Sequence, residues 1–197
     1  MITEERTAAR GSDIDDRVLE ACQQGDRKAF QLLFEAYKDR TYSMALHFSG
    51  DEALAQDIAQ QVFLKIFIQI KYFRKGSEFT TWLYRIVINT CIDEKRKRKR
   101  FIPFSHSSEV KKMVMKGSQE ENYLQRLVED SVKAAVTNLK PNLRLPILLK
   151  YIEGLSYEEI ARILGCSVGT VASRLNQAYK TLAQKLAHLR GIPFSGE

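Results

Sequence analysis

Five polar side chains near the C-terminal end, Thr170, Ser173, Arg174, Gln177 and Lys180, recur at helical spacing. The other side of the same segment carries Val171, Leu175, Ala178 and Leu182. Arginine pairs bidentately with guanine, glutamine with adenine, and serine or threonine bonds bases or phosphates, so this face has the chemistry of a helix entering a DNA major groove. A second group lies upstream, where Phe79, Trp82, Arg85 and Asn89 precede the run Lys95-Arg96-Lys97-Arg98-Lys99-Arg100. Unpaired bases are held by aromatic stacking, polar contacts and cations that track the backbone, a composition that suits single-stranded DNA. The competing readings are a solvated helix face for the first group and a bundle core for Phe79 and Trp82; for Trp82 taken alone the core reading is the better one. Catalysis has no such constellation. Asp15-Asp16 and Asp93-Glu94 are adjacent in sequence and so do not converge on one helix face, while His47, His106 and His188 are isolated. Neither a nucleophile with its base nor a metal-binding carboxylate cluster is expected, and no cofactor is implied.

The elements that must position the first group are legible in Leu155–Val171. Ser156 and Glu159 have the spacing of a capping box that starts a helix. Ala161 is small where a second helix must cross closely. Gly165 supplies a permissive backbone for a tight turn, and Ser167 can cap the following helix. Ile160, Leu164 and Val171 then join the two helices, so the segment is expected to form a helix-turn-helix.

The N-terminal hundred residues read as helices. Phe30, Leu33, Phe34, Tyr37, Met44, Ala45 and Phe48 have helical spacing behind Asp26 as N-cap. From about Asp51, Leu54, Ile58, Val62, Ile66 and Ile70 repeat at fourfold spacing. Phe63, Leu64, Phe67 and Ile68 widen that stripe, which predicts a helix central in a bundle. A third helix from about Thr80 runs into the basic tract, with Phe79, Trp82, Leu83, Ile86 and Val87 facing inward. Pro103, Gly117 and four serines interrupt periodicity over 101–121, which is expected to be a flexible linker. Helical patterning resumes near Asn122 and continues to about Leu189. The expected fold is all-α: two small helical domains, 1–100 and 122–197, joined by that linker, the second bearing the helix-turn-helix.

Composition agrees with this plan. The 197 residues are 44% hydrophobic and 28% charged, ordinary globular usage. No apolar run reaches the ~18 residues of a membrane span, and the charged N-terminus is unlike a secretory signal. Cys22, Cys91 and Cys166 are widely spaced, which fits a reducing cytoplasm better than a disulfide scaffold or zinc site. The net charge of +7 is unevenly placed: residues 1–70 hold 8 basic and 12 acidic side chains, whereas 71–100 hold 10 and 3. A localised basic stretch points to a polyanion, although cations at a helix C-terminus also complement the helix dipole.

Taken in order, Asp57-Ile58-Ala59-Gln60-Gln61-Val62-Phe63-Leu64-Lys65, then Phe79–Asp93, then Leu155–Leu182 resemble the extracytoplasmic-function sigma factors, the small initiation subunits of bacterial RNA polymerase. The resemblance spans about residues 15–100 and 122–187. It implies that Asp57, Gln60, Gln61 and Lys65 dock on the clamp of the polymerase β′ subunit. It implies that Tyr72, Phe73, Arg74, Lys75, Phe79, Trp82, Arg85, Asn89, Asp93, Lys95 and Arg96 bind single-stranded −10 DNA and help to melt it. It further implies that Ser167, Thr170, Ser173, Arg174, Gln177 and Lys180 read the duplex −35 element, that the second domain meets the β flap, and that a cognate anti-sigma factor exists. The sequence departs from the family pattern at Ala172, often Arg or Lys, at Gln177, commonly Arg, and at Gln60-Gln61, more usually Gln-Glu. A stand-alone helix-turn-helix regulator is the alternative; it accounts for 155–187 but leaves the two upstream segments without a role.

Overall fold

Asp26 begins the first long helix by accepting hydrogen bonds from the Lys28 and Ala29 amides at 2.7 and 3.2 Å. It follows a short helix, α1 (Asp16–Gln23), and opens α2 (Arg27–Ser49). Gly50 ends α2 in the left-handed region at φ 72°, and its amide donates to the Leu46 carbonyl at 2.7 Å. The next residue, Asp51, caps α3 (Glu52–Gln69) through the Leu54 amide at 2.8 Å. A glycine stop followed at once by an aspartate start turns the chain back on itself, so α2 and α3 pair side by side. A 3₁₀ turn at Ile70–Tyr72 leads towards α4 (Phe79–Phe101). The computed structural model describes residues 14–74, 78–101 and 120–189; most of the expected linker therefore lies outside the described residues. Its second half comprises α5 (Glu120–Thr137), α6 (Pro141–Tyr151), α7 (Tyr157–Leu164) and α8 (Val168–Lys185). The described residues form eight α-helices and two 3₁₀ turns, with no strand among them, as the sequence led us to expect.

Leu33, Tyr37, Met44 and Phe48 of α2, Ile58, Val62 and Ile66 of α3, and Leu83, Val87 and Cys91 of α4 are all buried. Each fully buried aliphatic or aromatic side chain of this kind stabilises the fold by about 1.5–3 kcal/mol relative to exposure. α3 departs from the expectation of a central helix. Phe63 is buried, but Leu64, Phe67 and Ile68 are 56%, 54% and 61% exposed. The physical reason is that α3 packs against α2 and α4, and two neighbours cannot cover an apolar face that wraps most of a helix.

The two halves are packed together. α4 lies against α7, and α2 touches α5 and α6. The buried apolar cluster continues through Leu143, Leu148, Leu149, Ile160, Val171 and Leu175. Arg144 of α6 is only 2% exposed and donates to the carbonyls of Phe48, at the end of α2, and of Leu139, the latter at 2.8 Å. Its guanidinium carbon also sits 5.1 Å from the centre of the Phe48 ring.

Candidate functional site

The helix-turn-helix is built as its residues dictate. The Ser156 amide donates to the Glu159 carboxylate at 2.7 Å, and the Glu159 amide donates back to the Ser156 hydroxyl at 3.2 Å. Gly165 holds the turn at φ 62° with open space where a Cβ would stand, so glycine is favoured there for its backbone alone. Ser167 caps α8 by accepting from the Thr170 amide at 3.1 Å. Val171, Leu175 and Ala178 are buried, and Leu182 packs on the core. On the other side Ser173, Gln177 and Lys180 are exposed. Thr170 and Arg174 are half-buried: the Thr170 hydroxyl lies 2.9 Å from that of Ser167, and Arg174 reaches the Cys166 sulfur at 3.9 Å. Sulfur is a weak acceptor, so this contact leaves the guanidinium available to a stronger one.

The basic-aromatic group forms a platform and a stripe. Phe73, Phe79 and Trp82 meet with ring centres 5.4–5.6 Å apart, and Tyr37 supports Phe79 from α2 at 5.5 Å. Phe79 is buried and Phe73 and Trp82 are partly so; Phe79 thus shapes the platform from beneath. Gln23 of α1 clamps the connector by donating to the carbonyls of Ile70 and Phe73 at 3.2 and 2.7 Å. It is a positioning residue that sequence reasoning missed, because its partners lie 47 and 50 positions away. Tyr72 is 72% exposed, with the Lys71 ammonium 5.0 Å over its ring, and Arg74 is also exposed. Lys75 lies outside the described residues. Along α4, Arg85, Asn89, Asp93 and Arg96 are exposed at the spacing of one helix face, and Lys95 stands 5.9 Å from the Phe48 ring. The Arg85 guanidinium is engaged, donating to the Arg162 carbonyl of α7 at 2.6 Å. Farther on, Lys97 pairs with Glu94 at 2.5 Å and lowers that carboxyl below its usual range, while Arg98 pairs with Asp51 at 3.3 Å.

A third surface lies between α2 and α3. Phe30, Phe34, Tyr42, Phe63, Leu64 and Phe67 line a trough of about 560 Å³, with Lys38, Asp39, Gln56 and Gln60 at its rim. Edge-on pairs, Phe30 with Phe67 at 5.1 Å and Phe34 with Phe63 at 4.7 Å, hold its walls. Exposed contiguous apolar surface of this kind marks contact with another macromolecule. Of the four residues expected at a docking surface, Asp57 and Gln60 are exposed, and Gln60 lines the trough. Gln61 and Lys65 turn towards α4: Gln61 bonds the Glu94 carboxylate, and the Lys65 ammonium donates to the Thr90 hydroxyl at 2.9 Å. Phe34, Leu64 and Phe67 were absent from that expected set, since the pattern placed Leu64 and Phe67 in the core.

Comparison with known proteins matches both halves. Residues 33–101 match the family Sigma-70 region 2, and residues 129–182 match Sigma-70, region 4. The chain is 35% identical over 183 residues to the RNA polymerase sigma-H factor of Pseudomonas aeruginosa, covering 89% of this chain and 95% of that one. It is 34% identical over 185 residues to the ECF RNA polymerase sigma-E factor of Escherichia coli K12, with the same coverage. Among solved structures it is similar to the sigma factor RpoE of Bartonella quintana, crystallised with the anti-sigma factor NepR, at 27% identity and a TM-score of 0.63 over 81% of this chain and 98% of that one. It shares its fold with CnrH, solved in complex with the cytosolic domain of CnrY, at 24% identity and a TM-score of 0.67 over 88% of this chain and 97% of that one.

Proposed function

The chain belongs to the extracytoplasmic-function family of sigma factors, and from that premise we propose how its surfaces divide the work. It is an alternative sigma factor that directs RNA polymerase to promoters; such factors bind DNA to initiate transcription and are not themselves catalysts. No described helix is long and apolar enough to cross a membrane, and we place the protein in the cytoplasm with the polymerase. Residues 1–100 are assigned to docking and the −10 element, 101–121 to a linker, and 122–197 to the −35 element.

In this reading the α2–α3 trough, lined in part by Gln60, docks on the β′ clamp together with exposed Asp57, and the second domain meets the β flap. The platform of Phe73, Phe79 and Trp82, with Tyr72, Arg74, Lys75 and Asn89 around it, receives a base flipped from the −10 element. Holding that base outside the stack offsets the roughly few kcal/mol of unstacking and so favours strand opening. Arg85, Asp93, Lys95 and Arg96 line the path of the opened strand, the cations opposite its phosphates. Ser173, Arg174, Gln177 and Lys180 read the −35 major groove, while Ser167 and Thr170 present the start of α8 to a phosphate. An anti-sigma factor is the expected restraint, a reading supported by the anti-sigma partner of the similar Bartonella factor.

The observation that carries this reading is the occurrence on one chain of an open helix-turn-helix face and an open apolar trough. A regulator acting alone needs the first and has no use for the second. The test is purification with core polymerase. Co-elution, together with promoter-directed run-off transcription, is expected. Tight binding to duplex DNA by the protein alone, with no affinity for core, would instead identify a stand-alone regulator.

A further inference from the structure

Gln23 is the last residue of α1, and its side chain is half-buried against the connector that leaves α3. The end of α1 is itself fixed. Leu19 and Cys22 are buried, and the Gly25 and Asp26 amides donate back to the Cys22 and Ala21 carbonyls, both at 3.0 Å. From this base the Gln23 side-chain nitrogen donates to the Phe73 carbonyl at 2.7 Å and to the Ile70 carbonyl at 3.2 Å. The Phe73 amide closes the 3₁₀ turn on the same Ile70 carbonyl at 3.0 Å. Where a helical turn ends, its last carbonyls lack partners within the helix, and here a side chain from another element supplies them. Both acceptors are carbonyls, so only the NH2 of the amide can face them, and its two hydrogens match the two oxygens. A glutamate at this position would set oxygens against oxygens, and an asparagine would be one methylene shorter.

We propose that Gln23 is a positioning residue for −10 recognition: it presets the aromatic platform through the backbone of Phe73, without touching DNA itself. The proposal rests on the sigma-factor reading. Phe73 leaves the turn with extended backbone, at φ −65° and ψ 125°, and its ring then stands 5.5 Å from Phe79 and 5.4 Å from Trp82. Phe79 and Trp82 are carried by α4, whereas Phe73 sits on the connector and depends on it for its place. Its neighbours Tyr72 and Arg74 are exposed, so burial of their side chains does not anchor the connector. Ordering a loose connector would cost conformational entropy at the moment a base binds; the clamp meets that cost during folding instead. A platform fixed beforehand also discriminates better, because it does not adjust to the wrong base. The other surfaces lie apart from Gln23. None of the residues lining the α2–α3 trough belongs to α1, and the helix-turn-helix is formed by α7 and α8. Loss of the clamp is therefore a defect of strand opening and base choice, not of docking or −35 binding.

Two variants test this. Gln23→Met keeps the length and neutrality of the side chain while removing both hydrogens, and Gln23→Lys restores a donor at similar reach. Trp82 is the single tryptophan of the chain, so its fluorescence reports on the platform directly. In free Gln23→Met, acrylamide quenching of Trp82 should rise about twofold while thermal unfolding stays cooperative, and Gln23→Lys should lie close to wild type. On promoter templates randomised at −10, the ratio of the most to the least used base at the most selective position should fall about fivefold in Gln23→Met, the equivalent of one hydrogen bond. Affinity for core polymerase should change less than about twofold, as expected for a distant site. Unchanged quenching would overturn the clamp, and so would a Gln23→Lys protein no better than Gln23→Met. Altered quenching with an unaltered base preference, or a uniform loss of transcription on all templates, would overturn the role at −10. If wild-type protein with core polymerase gave no promoter-directed transcript, the sigma-factor reading would fail and the −10 role with it. The quenching would still show whether Gln23 holds the platform.

Discussion

Replacing Leu64 and Phe67 together by serine removes two exposed apolar side chains that line the α2–α3 trough without touching the buried core. Both side chains are slightly more than half exposed, at 56% and 54%. Completing the burial of a leucine or phenylalanine that is already half covered is worth about half of the usual 1.5–3 kcal/mol, hence roughly 1 kcal/mol each and about 2 kcal/mol for the pair. At 1.4 kcal/mol per decade, the affinity for core polymerase should fall about 30-fold. The same arithmetic predicts a loss of about 2 kcal/mol or less in folding stability, because only the covered half of each side chain contributes to the fold. The assay is titration of labelled protein with core polymerase, paired with thermal unfolding of the free protein. Lys65→Ala is the contrasting variant. Its ammonium bonds Thr90 at 2.9 Å and points away from the trough, so core affinity should change less than threefold while stability drops by about 1 kcal/mol. Unchanged core affinity in the serine double variant would refute the assignment of the trough. So would a larger affinity loss in Lys65→Ala than in the double variant.

Three further outcomes are expected. Gln177→Ala should weaken use of a promoter with an intact −35 element by about 1–3 kcal/mol while leaving core binding unchanged, read by run-off transcription against base-substituted −35 templates. Asp51→Ala should cost about 1 kcal/mol of stability at pH 7, because its carboxylate caps α3. The Asp51 carboxyl is held below its usual range chiefly by the Leu54 amide, so the stabilisation is complete above the unfolded pKa near 4 and disappears as pH falls through the lower folded value; denaturant unfolding should find the two proteins converging as the pH is lowered below that range. Burial raises the thiols of Cys22 and Cys91 to about 11 and about 12, so both should resist a thiol reagent at pH 7.5, and half-buried Cys166 should react first. Rapid modification of all three cysteines in the folded protein would contradict the packing around α1 and α4.

The helix-turn-helix could be read from sequence because its determinants are local. Ser156 and Glu159 cap one turn, Gly165 reverses the chain, and Ser167 caps the next turn, all within twelve residues. The two faces of α8 likewise follow from helical spacing, as Val171 and Leu175 are buried and Gln177 is exposed. The trough was not legible, because whether Leu64 and Phe67 are covered depends on how many helices surround α3, and periodicity does not count neighbours. The turn of Lys65 towards α4 was not legible for a related reason: Thr90, the residue that draws it inward, lies 25 positions along the chain. Gln23 was invisible for a stronger reason, since its partners are tens of residues distant and a glutamine is ordinarily a surface residue. The burial of Arg144 was hidden on the same ground.

The most direct test of the central claim is sequencing of the transcripts made by purified core polymerase and this protein on a library of random promoter templates. The account predicts start sites that require the protein and share two upstream elements, near −35 and −10. It further predicts that changes at Gln177 or Arg174 alter the preference at the first element, and changes at Asn89 the preference at the second. Transcripts indifferent to the presence of the protein, or a single shared element unaffected by Asn89, would contradict it.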